Sequence, residues 1–193
     1  MSGIGRQQLP IIDALPGIDK DKDGKPLVSP AHVSGLFLEK YDGGGANVTI
    51  RGVGEKAFRL RPKLRIVEGR SFRPGVSEVI VSRGISERFR DCRLGDTIRF
   101  GSLRWKVVGV FDADGTAPDS EIWTDVEGAM ADMKRDAYSS VLVRCTGVKK
   151  RDRFLAALAG DARLSDEGKP EREYYEKQTE TAGPIRFLWM IVS

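Results

Sequence analysis

Hydrophobic and polar positions alternate with the two-residue period of strands through much of the chain, and with the helical period in a few short stretches. Near the start, Ile11, Ile12 and Leu15 share a helical face, Pro10 suits an early helical position, and Pro16-Gly17 ends the element. A polar turn, Asp19 to Gly24, separates this helix from an extended stretch over Leu27 to Leu38. Tyr41-Asp42-Gly43-Gly44-Gly45 then reads as a hinge, because consecutive glycines favour neither helix nor strand.

From Ala46 to Asp125 the pattern predicts a β-rich region. Asn47 to Val53 and Leu60 to Glu68 read as extended. Val79 and Val81 alternate with Glu78, Ile80 and Ser82, as in a half-buried strand. Ile85 and Phe89 mark a short helix, and Gly95-Asp96 turns the chain into Thr97 to Phe100. Gly101-Ser102 signals a hairpin before a strand in which Trp105 and Val107 alternate with Arg104 and Lys106. The strand becomes wholly apolar at Val107-Val108, which predicts cover on both faces. Thr124 and Glu127 have the spacing of a capping box, followed by a helical stripe of Val126, Ala129, Met130 and Met133.

The last third predicts a strand over Tyr138 to Cys145 and a helix over Lys150 to Ala159 burying Phe154, Leu155 and Leu158. A short strand over Ala162 to Leu164 and a helix over Tyr174 to Thr181 follow. Strand, helix and strand in this order resemble a small βαβ unit. The fold expected is therefore α+β in two lobes. Residues 1–45 with 135–184 form a split βαβ-type lobe from both chain ends, and residues 46–134 an inserted β-rich lobe. Residues 185–193 contain six consecutive apolar residues from Phe187, and are read as the start of a truncated membrane helix.

Composition narrows the function classes. The 193 residues are 40% hydrophobic and 31% charged, a globular balance rather than a disordered one. A net charge of +4 without a concentrated basic face argues against a dedicated nucleic-acid binder. No secretory leader is read at Met1-Ser2-Gly3. Cys92 and Cys145 could close one disulfide, but are read as two separate buried thiols.

Three charged constellations are candidates for chemistry. Asp19-x-Asp21-x-Asp23-Gly24 imitates the opening of a calcium-binding loop, but Pro30 stands where the twelfth-position carboxylate is needed. A solvated turn is expected. Asp112, Asp114, Asp119 and Glu121 lie in or beside a Gly/Pro loop and are read as solubilising it. Arg59, Arg61, Lys63 and Arg65 alternate with Phe58, Leu60 and Leu64, as in an edge strand guarded by charge and by Pro62. His32 is the sole histidine, and neither a nucleophile elbow, a zinc-spaced Cys/His set nor a phosphate loop occurs. No catalytic, cofactor-binding or metal-binding residue is assigned, and no enzyme activity is expected.

Five phrases occur in order over the middle of the chain. They are Val48-Thr49-Ile50-Arg51-Gly52-Val53, Leu64 to Phe72 (Leu-Arg-Ile-Val-Glu-Gly-Arg-Ser-Phe), Glu78-Val79-Ile80-Val81-Ser82, Leu94-Gly95-Asp96-Thr97-Ile98, and Trp105 to Phe111 (Trp-Lys-Val-Val-Gly-Val-Phe). In this order they resemble the periplasmic core domain of MacB/FtsX-like ABC-transporter permeases. Leu15-Pro16-Gly17-Ile18 and the apolar tail sit where such permeases adjoin their first and second membrane helices. The resemblance implies a non-catalytic domain on the periplasmic side of the inner membrane, coupling ATP-driven conformational change to export or to envelope partners. It implies a cytoplasmic ATPase subunit, a permease homodimer, a periplasmic adaptor and no nucleic acid. The alternative is a regulatory module that recruits a cell-wall hydrolase.

Overall fold

The computed structural model describes residues 3–164, 168–170 and 187–192. The chain forms two compact units, one from residues 1–31 with 136–193 and one from residues 32–135.

The unit built from both chain ends begins with β1 (Ile4–Gly5), which pairs with β9 (Ala137–Tyr138). Helix α1 (Leu9–Asp13) has Pro10 in its first turn and buries Ile12. β2 (Val28–Glu39) pairs through Val28–Ala31 with β10 (Ser140–Cys145), antiparallel. Helix α5 (Val148–Gly160) follows β10 and buries Phe154 and Leu158. β12 (Phe187–Val192) then runs parallel to β10, with Cys145 opposite Val192, and β11 (Gly168–Pro170) runs parallel to β12.

Two expectations fail in this unit. Phe187–Val192 is a strand and not the opening of a helix, because an unbroken apolar run satisfies either period and β10 offers it an edge. Ala162 to Leu164 is a turn and not a strand. Asp161 accepts the backbone N–H of Arg163 (3.0 Å) and also holds its guanidinium, so side chain and backbone satisfy each other locally. The helix expected over Tyr174 to Thr181 lies outside the described residues. Among the described residues no helix is long and apolar enough to cross a membrane.

The inserted unit is a mixed sheet. Beside the later part of β2 lies β3 (Gly45–Val53), parallel to β8 (Glu121–Asp125). β5 (Glu78–Ser82) runs antiparallel to β8 and parallel to β7 (Leu103–Asp112). β7 pairs with β6 (Thr97–Phe100) through its first residues and with β4 (Arg65–Gly69) through its last. Both faces are covered. Val79, Val81, Trp105, Val107 and Ile122 pack on one side with Ile85 and Phe89 of and after α3 (Arg83–Arg88). Ile80, Val108, Phe111 and Trp123 pack on the other with Ala57 of α2 (Ala57–Leu60).

This two-sided cover corrects the half-buried reading of β5: Ile80 is as fully enclosed as Val79 and Val81. A strand with neighbours on both edges and layers on both faces needs no polar side. The stretch from Leu60 to Glu68 is not one strand either. Ala57–Leu60 is a helical turn, Arg61 leaves the helical region just before Pro62, and only Arg65–Gly69 is extended. The basic residues Arg59, Arg61 and Lys63 therefore do not line one strand face. Gly43-Gly44 lies in the turn between β2 and β3, with Gly45 opening β3, and is not a hinge; the Lys40 N–H closes the turn on the Gly44 carbonyl (3.1 Å).

Helix α4 (Val126–Asp132) starts one residue later than its predicted box. Asp125 is its N-cap and accepts from the Gly128 N–H (3.0 Å), while Thr124 stays in β8 and donates to the Glu78 carbonyl.

Candidate functional site

The acidic turn after α1 is closed by its own chain. Asp21 accepts from the N–H groups of Asp23 (3.0 Å) and Lys25 (2.9 Å), an arrangement that mimics a backbone turn. Asp19 accepts from Lys150 Nζ (2.6 Å) and Thr146 Oγ1. Burial works against its ionisation, but those hydrogen bonds and the Lys150 charge outweigh it, and its pKa lies below the usual range. Pro30 stands in β2 opposite Val141. Among the described residues no group of three or more His, Cys, Asp or Glu could hold a metal ion.

The second acidic group separates into unrelated roles. Asp119 accepts from the Ala113 N–H (2.6 Å) and the Gly115 N–H, fixing the loop between β7 and β8. Asp112 pairs with Arg83 (3.1 Å), and Asp114 loosely with Lys63 (3.6 Å). Glu121 belongs to the interior. Its carboxylate accepts from Arg51 Nε (2.8 Å), Arg51 Nη2 (2.6 Å) and Trp123 Nε1 (2.7 Å), and both charged side chains are almost wholly buried. The parallel register sets Thr49 opposite Glu121 and Arg51 opposite Trp123, so all four project to one face. The Arg61 guanidinium lies 5.2 Å from the Trp123 ring centroid, a cation–π contact. Burial alone would raise the Glu121 pKa; the Arg51 charge and hydrogen bonds, with Arg61 and Trp123, prevail and lower it.

This buried pair was not legible as a pair. Its available signal is an arginine in an otherwise apolar strand, Ile50-Arg51-Gly52-Val53, facing a glutamate directly before Ile122-Trp123. Held by three donors and almost wholly buried, this ionised carboxylate is a structural anion with no opening to substrate.

The five ordered phrases have structural jobs. Gly69 has a positive φ of 68°, and a side chain there would meet the Val108 carbonyl. At Gly109, an added Cβ would lie 2.1 Å from the Arg70 carbonyl oxygen. The phrases around Gly69 and Gly109 thus describe one close approach of β4 and its exit to β7. Arg70 holds Glu78 through two hydrogen bonds (2.7 and 2.6 Å), and Glu78 also accepts the Arg73 N–H. The hydrogen bonds from Arg70 lead burial in setting the Glu78 pKa, which is lowered. Asp96 accepts the Arg93 N–H (2.8 Å) and shapes the turn into β6.

Of the remaining candidates, His32 is buried. Cys92 and Cys145 are free and buried, and burial pushes their thiols up to about 12 and about 11. They are held as thiols, not as nucleophilic thiolates. A shallow cleft of about 380 Å³ lies beside the β6–β7 hairpin, between Gly75–Ser77 and α4. Trp105 donates there to Asp132 (3.1 Å), which also accepts the Ser102 N–H (2.8 Å), and Val76 and Leu103 stand exposed at its rim.

The overall fold has counterparts among solved structures. The structure is similar to the extracellular domain of the noncanonic ABC-type transporter YknZ from Gram-positive bacteria, with a TM-score of 0.61 and 17% identity over 79% of each chain. It is also similar to the periplasmic region of MacB from Actinobacillus actinomycetemcomitans, with a TM-score of 0.50, 16% identity and 72% of this chain covered. The chain spans 62% of that region's length. A model of the MacB-like periplasmic core domain matches residues 6–160, and the chain belongs to that family. No curated protein matches its sequence.

Proposed function

We propose that the chain is the extracytoplasmic part of a MacB/FtsX-type ABC-transporter permease, without catalytic activity of its own. It couples movements driven by a cytoplasmic ATPase subunit to export or to partners in the envelope. In this reading it stands on the periplasmic side of the inner membrane, within a permease homodimer that engages a periplasmic adaptor. The observation carrying the proposal is the family match over residues 6–160, which takes in the whole inserted unit and much of the other. The chemistry of the charged side chains supports it. Glu78, Glu121, Asp19 and Asp119 are engaged by donors that hold strands and turns, as expected of a domain that transmits force.

The test is purification of the full-length permease from detergent-solubilised membranes. An ATPase subunit should co-purify, and deletion of residues 32–135 should uncouple nucleotide hydrolysis from transport while leaving that association intact. Purification without any ATPase refutes the proposal. Capture of a cell-wall hydrolase in place of an adaptor would favour a regulatory module.

A further inference from the structure

We infer that one end of the unit built from both chain ends is a surface for an anionic lipid bilayer. Three segments converge there. The turn after α1 is tied to the start of α5 through Asp19, which bonds Lys150 and Thr146 and whose N–H donates to the Arg144 carbonyl (2.8 Å). The register of β12 on β10 sets Val192 opposite Cys145, so the apolar strand finishes at the same edge from which α5 departs.

The charge at this edge is predominantly basic. Lys149, Lys150, Arg151 and Arg153 occupy the first six residues of α5, with Asp152 the only acid among them. Asp152 is engaged by Arg151 (2.9 Å). Lys20, Lys22 and Lys25 are exposed on the adjoining turn, where Asp19 and Asp21 are satisfied by Lys150, Thr146 and backbone N–H groups and Asp23 is the exposed acid.

Helix stability does not account for the basic cluster. Basic side chains in a first turn oppose the helix dipole, and Gly147 supplies no side-chain cap. Directly before the lysines, Val148 is 56% exposed, the second most exposed large hydrophobic side chain among the described residues. An aliphatic side chain standing in water beside a run of Lys and Arg matches a headgroup layer: phosphodiesters meet the cations and the aliphatic group enters the acyl boundary.

The inference goes beyond the permease reading and is tested on this chain alone, so its failure leaves that reading standing. Sedimentation is measured with vesicles of phosphatidylcholine and with vesicles containing 30% phosphatidylglycerol, at low and at physiological salt. The chain should partition to the anionic vesicles about tenfold better at low salt, the preference falling as salt rises. Lys149→Glu with Arg153→Glu should abolish that preference, and Val148→Asp should weaken it. Arg99→Glu with Arg104→Glu, exposed partners across the β6–β7 hairpin, makes the same change in net charge and should leave binding unchanged. Circular dichroism and thermal melts confirm that each variant is folded. Equal loss in both double variants, equal binding to both vesicle types, or competition by millimolar inorganic phosphate alone would overturn the inference.

Discussion

Replacing Glu121 by Gln tests whether the Arg51–Glu121 pair holds β3 to β8. The substitution keeps the shape and removes the charge. Arg51, itself almost wholly buried, then loses the negative charge of this partner. Breaking one side of a buried pair costs about 3–5 kcal/mol, because the remaining charge stays desolvated. At about 2–4 °C per kcal/mol for a chain of this size, the melting temperature should fall by roughly 6–20 °C. Replacing both residues with Met should recover much of the loss, since a packed apolar pair avoids the desolvation altogether. The assay is urea unfolding followed by circular dichroism, for Glu121→Gln, for Arg51→Met and Glu121→Met singly, and for the double Met variant. A single-variant cost below about 1 kcal/mol, or a double variant worse than the sum of the singles, would refute the reasoning.

The same pair sets an acid limb. Because the Glu121 pKa is lowered in the folded state, its stabilising contribution is present above the unfolded carboxylate value of about 4.3 and disappears as pH falls through the folded value. Glu78 and Asp19 are lowered as well and act in the same direction.

Three further outcomes are expected. Gly109→Ala should destabilise by several kcal/mol, since the obstructing atom is the Arg70 backbone carbonyl, which cannot swing away; urea midpoints check it. Asp125→Ala should cost about 0.5–2 kcal/mol as the loss of a cap, whereas Thr124→Val should act through its bond to the Glu78 carbonyl and leave the α4 terminus intact; amide exchange in the first turn of α4 separates the two. Cys92 and Cys145 should stay unmodified by a maleimide at pH 8 in the native state and react fully in denaturant, read by mass spectrometry.

Much of the fold was legible because its strands advertise themselves through periodicity and turn chemistry. The strand from Val28, the strands ending at Val53, Ser82 and Phe100, and the amphipathic helix over Phe154 and Leu158 all follow from the pattern. What stayed hidden depended on partners distant in sequence. Ile80 reads as an outward position until Phe111 and Trp123 are seen to cover it. The Gly43–Gly45 run reads as a hinge until β2 and β3 are found side by side. Glu121 reads as one of a group of acids along the chain, whereas its partner, Arg51, lies on a strand seventy residues earlier. The family phrases were visible as text; that they encode a close backbone approach at Gly69 and Gly109 required the third dimension.

The most direct test of the central claim is sidedness. A single exposed cysteine is introduced at Arg104, on the inserted unit, in the full-length permease with any cysteine outside this domain replaced by serine, Cys92 and Cys145 being buried, and intact cells are treated with a membrane-impermeant maleimide. An outer-membrane permeabiliser admits the reagent to the periplasm where such a membrane is present. The account predicts labelling while the cytoplasmic membrane is intact. Labelling that appears only after that membrane is broken would place the domain in the cytoplasm and contradict it.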